Sequence, residues 1–149
     1  MIITIFIATL RFLSVDIAEV RSLFASADKS ETACERLFQL TDGYTIDYKP
    51  VVYAYHAAAE MTMANHVSWP GTKLSYFRSG KEKLEAVVRK YYRNIEIRYI
   101  RFAVQYGSPS FLGYRDNLDE DRNYVLANLE NAALPQAQKD LMKATVSQK

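Results

Sequence analysis

One cysteine in 149 residues, Cys34, leaves no second thiol for a disulfide and no thiolate cluster for a metal. Two histidines, His56 and His66, do not supply the paired-histidine spacing with an intervening glutamate that a zinc enzyme uses. With so few histidines, and serines that are scattered, no nucleophilic triad assembles on sequence grounds. Five glycines and four prolines form no phosphate loop and no dinucleotide pattern, and they exclude a low-complexity chain. The longest apolar run, Ile2 to Leu10, is far short of the roughly 20 residues that span a bilayer. Catalytic residues, metal ligands and cofactor motifs are therefore all absent from the reading, and no stable membrane span is expected.

What is present is an ordinary globular composition, with 49% apolar and 24% charged residues. Eleven tyrosines stand out, each an apolar ring with a polar tip that suits helix interfaces and binding surfaces alike. The net charge of +2 is too small to indicate nucleic acid. Basic residues do gather between Lys73 and Arg101, while residues 16 to 47 and the run Asp116, Asp119, Glu120, Asp121 lean acidic. Neighbouring helices that neutralise one another account for this. Lys73, Arg78, Lys81, Lys83 and Arg89 spread around a helix rather than forming one nucleic-acid face.

Residues 1 to 15 support two readings. The length of the apolar run suits the core of a secretory signal, which would place the protein in the periplasm or cell envelope. No basic residue precedes that run, however, and Arg11 follows it, so a first core element in a cytoplasmic protein fits as well. Residues 16 to 146 read as a single domain.

That domain reads as helix after helix. Ile17, Val20, Phe24 and Ala27 recur at helical spacing after Asp16. Ser30 caps a second helix through Leu40, with Gly43 as its stop. Pro50 opens a third, running to about Val67, and Ser68-Trp-Pro-Gly71 breaks it. A fourth covers about Thr72 to Tyr92 and contains Gly80, a cost of about 1 kcal/mol against alanine unless a neighbour approaches closely. Asn94 caps a fifth helix that Gly107 and Pro109 end. Asp116 or Asn117 starts a sixth, Pro135 a short seventh, and the tail from Thr145 is expected to fray. The apolar Phe111-Leu-Gly-Tyr114 connector reads as a plug over the fifth and sixth helices. No strand is expected.

The fifth helix shows how the others are arranged. At about 100° per residue, Ile95, Tyr99, Phe102 and Tyr106 fall on one side, and Ile97, Ile100 and Val104 nearly opposite. Arg98, Arg101 and Gln105 fill one edge between them. A peripheral helix has a single apolar stripe, so a helix with two must lie between neighbours. The third helix carries Ala54, Ala57, Ala58, Ala59 and Ala64 on several sides, with Tyr53, His56 and Glu60 on its more polar sector. Both suit an all-α protein of six to seven helices, built as stacked antiparallel hairpins.

At that level the chain resembles a degenerate tetratricopeptide-type superhelix, since the helix starts near Asp16 and Pro50 are separated by about the 34 residues of that repeat. The repeat's usual Trp-Leu-Gly-Tyr pattern is not reproduced. A second set of residues is more specific: Trp69-Pro, Lys73-Leu-Ser-Tyr-Phe77, Gly80, Asn94-Ile-Glu-Ile-Arg98, Arg101-Phe, Gln105 and Pro109-Ser-Phe-Leu-Gly-Tyr114. It is similar to a family of small, uncharacterised exported bacterial helical proteins. That likeness implies an exported helical-repeat protein without an assigned activity.

The expected function is an interaction or scaffold module whose groove, between helices 50–67 and 94–106, holds a peptide or protein partner of acidic character. Tyr53, His56, Glu60, Arg98, Arg101 and Gln105 are its candidate lining, because a guanidinium binds a carboxylate at two points. The same arginines could instead pair with Glu60, Asp116, Asp119 or Glu120 across helix interfaces and hold register. The alternative function is a small-molecule-binding protein or weak enzyme with a Tyr/His/Glu/Arg pocket. Exposed end faces on a short stack would also allow a homodimer.

Overall fold

The computed structural model describes residues 14–148, so the segment with two readings lies almost wholly outside the described residues. Seven α-helices follow in order: α1 Ile17–Ser26, α2 Glu31–Leu40, α3 Pro50–Met63, α4 Pro70–Lys90, α5 Ile95–Gly107, α6 Leu118–Asn128 and α7 Gln136–Val146, with a 3-10 turn at Ser110–Leu112. Among the described residues there is no strand, and no helix is long and apolar enough to cross a membrane. The protein is all-α.

Helix starts follow local chemistry. Asp16 accepts from the Ala18 amide at 2.9 Å, Ser30 from Ala33 at 3.2 Å and Asn94 from Ile97 at 3.0 Å, each satisfying an amide that the first helical turn leaves open. Pro50 and Pro70 occupy first helical positions, where the missing N–H costs nothing. Pro70 thus begins α4 two residues earlier than the expected Thr72, and α3 stops at Met63 rather than near Val67. Gly113, at φ 63°, lets the chain turn from the 3-10 segment towards α6.

Each helix packs against its sequence neighbours, and α1, α3, α5 and α7 also touch in succession. The alternate helices α2, α4 and α6 make no such contacts with one another. Helices α1, α3, α5 and α7 are thus linked in succession, and α2, α4 and α6 each touch two successive members. The central member, α5, meets α3, α4, α6 and α7, and every residue from Glu96 to Phe102 is buried. This explains its two apolar stripes: Ile97 and Ile100 are fully enclosed, as is Phe102 on the other side. Cys34 is also enclosed, with its thiol pushed up to about 11 by burial and the Glu35 charge, which disfavours the nucleophilic thiolate.

Two expectations are corrected. The tail does not fray from Thr145: α7 continues to Val146, which is fully buried, and Arg122 donates to the Val146 carbonyl at 2.8 Å. The connector is only half a plug. Tyr114 inserts against Phe77 of α4, ring centroids 6.0 Å apart, whereas Phe111 is 85% exposed.

Candidate functional site

The arginine edge of α5 faces inward, onto α6 and α4. Asp121 of α6 is completely buried and sits between the two guanidinium groups. Its Oδ2 accepts from Arg101 Nε at 2.7 Å and its Oδ1 from Arg101 Nη2 at 2.9 Å, a two-point pair, while Arg98 Nε also donates to Oδ1. Arg98 reaches Glu120 at 2.9 Å and lies 4.5 Å over the Tyr124 ring; Arg101 reaches Glu85 at 3.3 Å. Burial works against the Arg101 charge, but Asp121, Glu85 and Glu120 outweigh it and raise its pKa above the ordinary value. Tyr114 donates to Glu85 at 2.5 Å, and burial together with that carboxylate pushes the phenol far up. Gln105 extends the edge by exchanging hydrogen bonds with Asn117 at the start of α6.

The other edge of α5 carries a second internal cluster. Arg21 of α1 grips Glu96 at 2.7 and 2.8 Å, and Tyr55 of α3 donates to the same carboxylate at 2.7 Å. Burial and then the Glu96 charge hold the Tyr55 phenol protonated. These contacts tie α1, α3 and α5 together at their shared seam.

The α3 candidates lie elsewhere. His56 stacks on Phe38 at 4.6 Å and shares a 3.1 Å hydrogen bond with Thr41, the residue that closes α2. Glu60 accepts from Lys83 of α4 at 2.5 Å, and half-buried Tyr53 packs against the core. Arg98, Arg101 and Gln105 are therefore brought together, as are His56 and Glu60 along α3, but the two groups occupy different interfaces.

His56 should contribute an acid-sensitive component to stability. Burial, then the Lys83 charge, lowers its pKa below 6.5, against the opposing pull of Glu60, Asp42 and the Phe38 backbone. Below pH 6.5 the unfolded chain takes up a proton that the folded chain refuses, so stability falls as pH drops from 6.5 through the folded value. Urea midpoints measured between pH 7 and 5 should fall less for His56→Gln than for the wild type; equal slopes would show that His56 titrates normally.

A cavity of about 900 Å³ opens where α1, α3, α5 and α7 end and α4 begins. Its deeper walls include Met61, Phe77 and Tyr99, all at least nine-tenths buried. Its rim includes Leu74, Leu141 and Phe111, respectively 41, 38 and 85% exposed. Thr62, Asn65 and Thr145 supply polar atoms, and Asp28, Lys29 and Lys73 the charges. Helices α3 and α5 contribute walls through Met61, Thr62, Ala103 and Val104; none of the six candidate residues lines the cavity. No family model, curated protein or solved structure matches the chain.

Sequence reasoning missed this lining because it tracked the helix middles, where charge interrupts apolar stripes. The available signal was at the helix ends: Leu74 beside Lys73, and Phe111 in a connector too apolar for a solvated loop.

Proposed function

We propose that the chain is an interaction module that seats a peptide or protein segment in the groove at the open end of α1, α3, α5 and α7. The observation that carries this reading is the exposed apolar rim of Leu74, Leu141 and Phe111 around a buried aromatic wall. The succession of helical hairpins supports a tetratricopeptide-like scaffold, in which such a groove is the working surface. An export signal within residues 1–15 would set that work in the cell envelope.

The volume also suits a small apolar molecule, since ligand pockets run to about 300–1,000 Å³. The open rim favours a chain segment, because a ligand enclosed on all sides would not need Phe111 standing in solvent.

Filling the groove tests the proposal. Ala103 lines it and is only half-buried, so Ala103→Trp occupies space without cutting the core. A cross-linked partner recovered with wild type should be lost with Ala103→Trp, at unchanged circular dichroism. Retention of that partner by the filled variant would overturn the groove reading.

A further inference from the structure

We infer that the occupant of the groove is an amphipathic helix with an acidic flank, seated with its apolar stripe in the cavity and its carboxylates along the first turns of α4. The inference rests on the groove reading and adds the chemistry of the partner.

The first part concerns shape. Among the described residues no strand offers an edge, so a partner cannot add to a sheet. A proline-rich segment would need parallel aromatic ridges standing clear of the surface. Here Phe77 is packed against Tyr114, and Phe24 is turned edge-on to Tyr55 at 5.2 Å and to Tyr99 at 6.5 Å. Methionine and aliphatic groups, Met61, Leu74, Val104 and Leu141, complete a broad trough rather than a pair of slots. Such a trough matches the i, i+3, i+4, i+7 stripe of a helix.

The second part concerns charge. From Pro70 to Lys81, α4 carries Lys73, Arg78 and Lys81 and no carboxylate. Lys73 lines the groove, and Arg78 lies one turn beyond the lining residue Leu74. Lys73 and Arg78 are exposed and have no ion-pair partner among the described residues; Lys81 lies 4.8 Å over the Tyr114 ring and likewise forms no ion pair among them. Lys29 and Asp28 cancel on the α1 side. The carbonyl ends of helices at this face add negative potential, but it decays within a turn and is partly closed. His66 bonds the Ala27 carbonyl at 2.7 Å, and Arg115 donates to the Ser108 carbonyl at 3.1 Å. Full charges along α4 therefore dominate, and they favour carboxylates.

The test uses the full chain and fluorescein-labelled peptides of about 15 residues, a length at which an isolated helix becomes marginal. One peptide carries leucines at helical spacing with glutamates on both flanks. A second replaces every glutamate with lysine, a third scrambles the glutamate peptide, and a fourth is proline-rich. Anisotropy should show the patterned glutamate peptide binding on the order of tenfold or more tighter than the other three. Lys73→Glu/Arg78→Glu should invert the preference between the glutamate and lysine peptides, and Ala103→Trp should abolish both. Equal binding of glutamate and lysine peptides, lost together in Ala103→Trp, would overturn the acidic inference and leave the groove reading standing. Preference for the scrambled or proline-rich peptide would overturn the helical occupant. If no peptide binds, the inference falls; if Ala103→Trp also retains the cross-linked partner, the groove reading falls with it.

Discussion

Asp121→Ala should cost about 3–5 kcal/mol of folding stability, the range measured when one partner of a buried ion pair is removed. Asp121 is wholly enclosed and accepts from both Arg98 and Arg101, whose side chains are only 6 and 7% exposed. Truncation leaves two guanidinium groups with the more exposed Glu120 and Glu85, at 58 and 24%. Neither can move into the vacated centre without giving up its own solvation. For a chain of this length the loss corresponds to a fall in melting temperature of roughly 6–20 °C. Asp121→Asn should lose nearly as much, because its amide presents donors to donors on one side.

Replacing the whole unit separates pairing from packing. Arg98→Met/Arg101→Leu/Asp121→Leu removes every buried charge at once and should recover most of the stability lost by Asp121→Ala. Urea denaturation with a common slope provides the readout. An Asp121→Ala midpoint indistinguishable from wild type would mean that water, and not Asp121, compensates the arginines.

The sequence revealed the place of α5 better than the purpose of its polar edge. Two apolar stripes can only be buried twice, so the central position follows from spacing alone, and Ile97, Ile100 and Phe102 lie in the core on that ground. Arg98 and Arg101 carry no such information: a guanidinium on a helix edge fits a groove or a buried partner equally. Pairing with α6 was expected as one alternative, but through residues around Asp121 and not through Asp121 itself, whose burial depends on how α6 is rotated. The α6 periodicity does not fix that rotation, since its first turn carries Asp119, Glu120 and Asp121 in succession. Tertiary geometry selects the last of the three, Asp121, for the interior of the Arg98–Arg101 pair. The groove was harder still, because it is assembled from the ends of five helices and from no contiguous motif. The residues that line the cavity were not legible.

Gly80→Ala should destabilise the protein by about 1–3 kcal/mol, the usual cost of overpacking a tight interface. Helix propensity alone predicts the opposite sign, a gain of about 1 kcal/mol from replacing a mid-helix glycine. Geometry decides between them. A Cβ at Gly80 would lie 2.6 Å from the Ala57 carbonyl oxygen, 2.8 Å from the Met61 amide nitrogen and 2.5 Å from Met61 Cγ. Two of these three atoms are backbone of α3, so rotating a side chain cannot relieve the overlap. Helix α3 comes this close because Ala54, Ala57 and Ala58 present almost no side chain there, all fully buried. The alanines of one helix and the glycine of the other are thus a single packing device, and α3 must shift away from α4 to admit a methyl group. That shift would open the contacts of Phe77, Leu84 and Val87, so Gly80→Leu should cost more than Gly80→Ala. Trimming Met61 offers the check. Gly80→Ala/Met61→Ala removes the Cγ overlap but keeps the Ala57 oxygen at its place, and should be no more stable in urea than Gly80→Ala. If the double variant regains the loss, or if Gly80→Ala proves more stable than wild type, the two helices do not approach through their backbones.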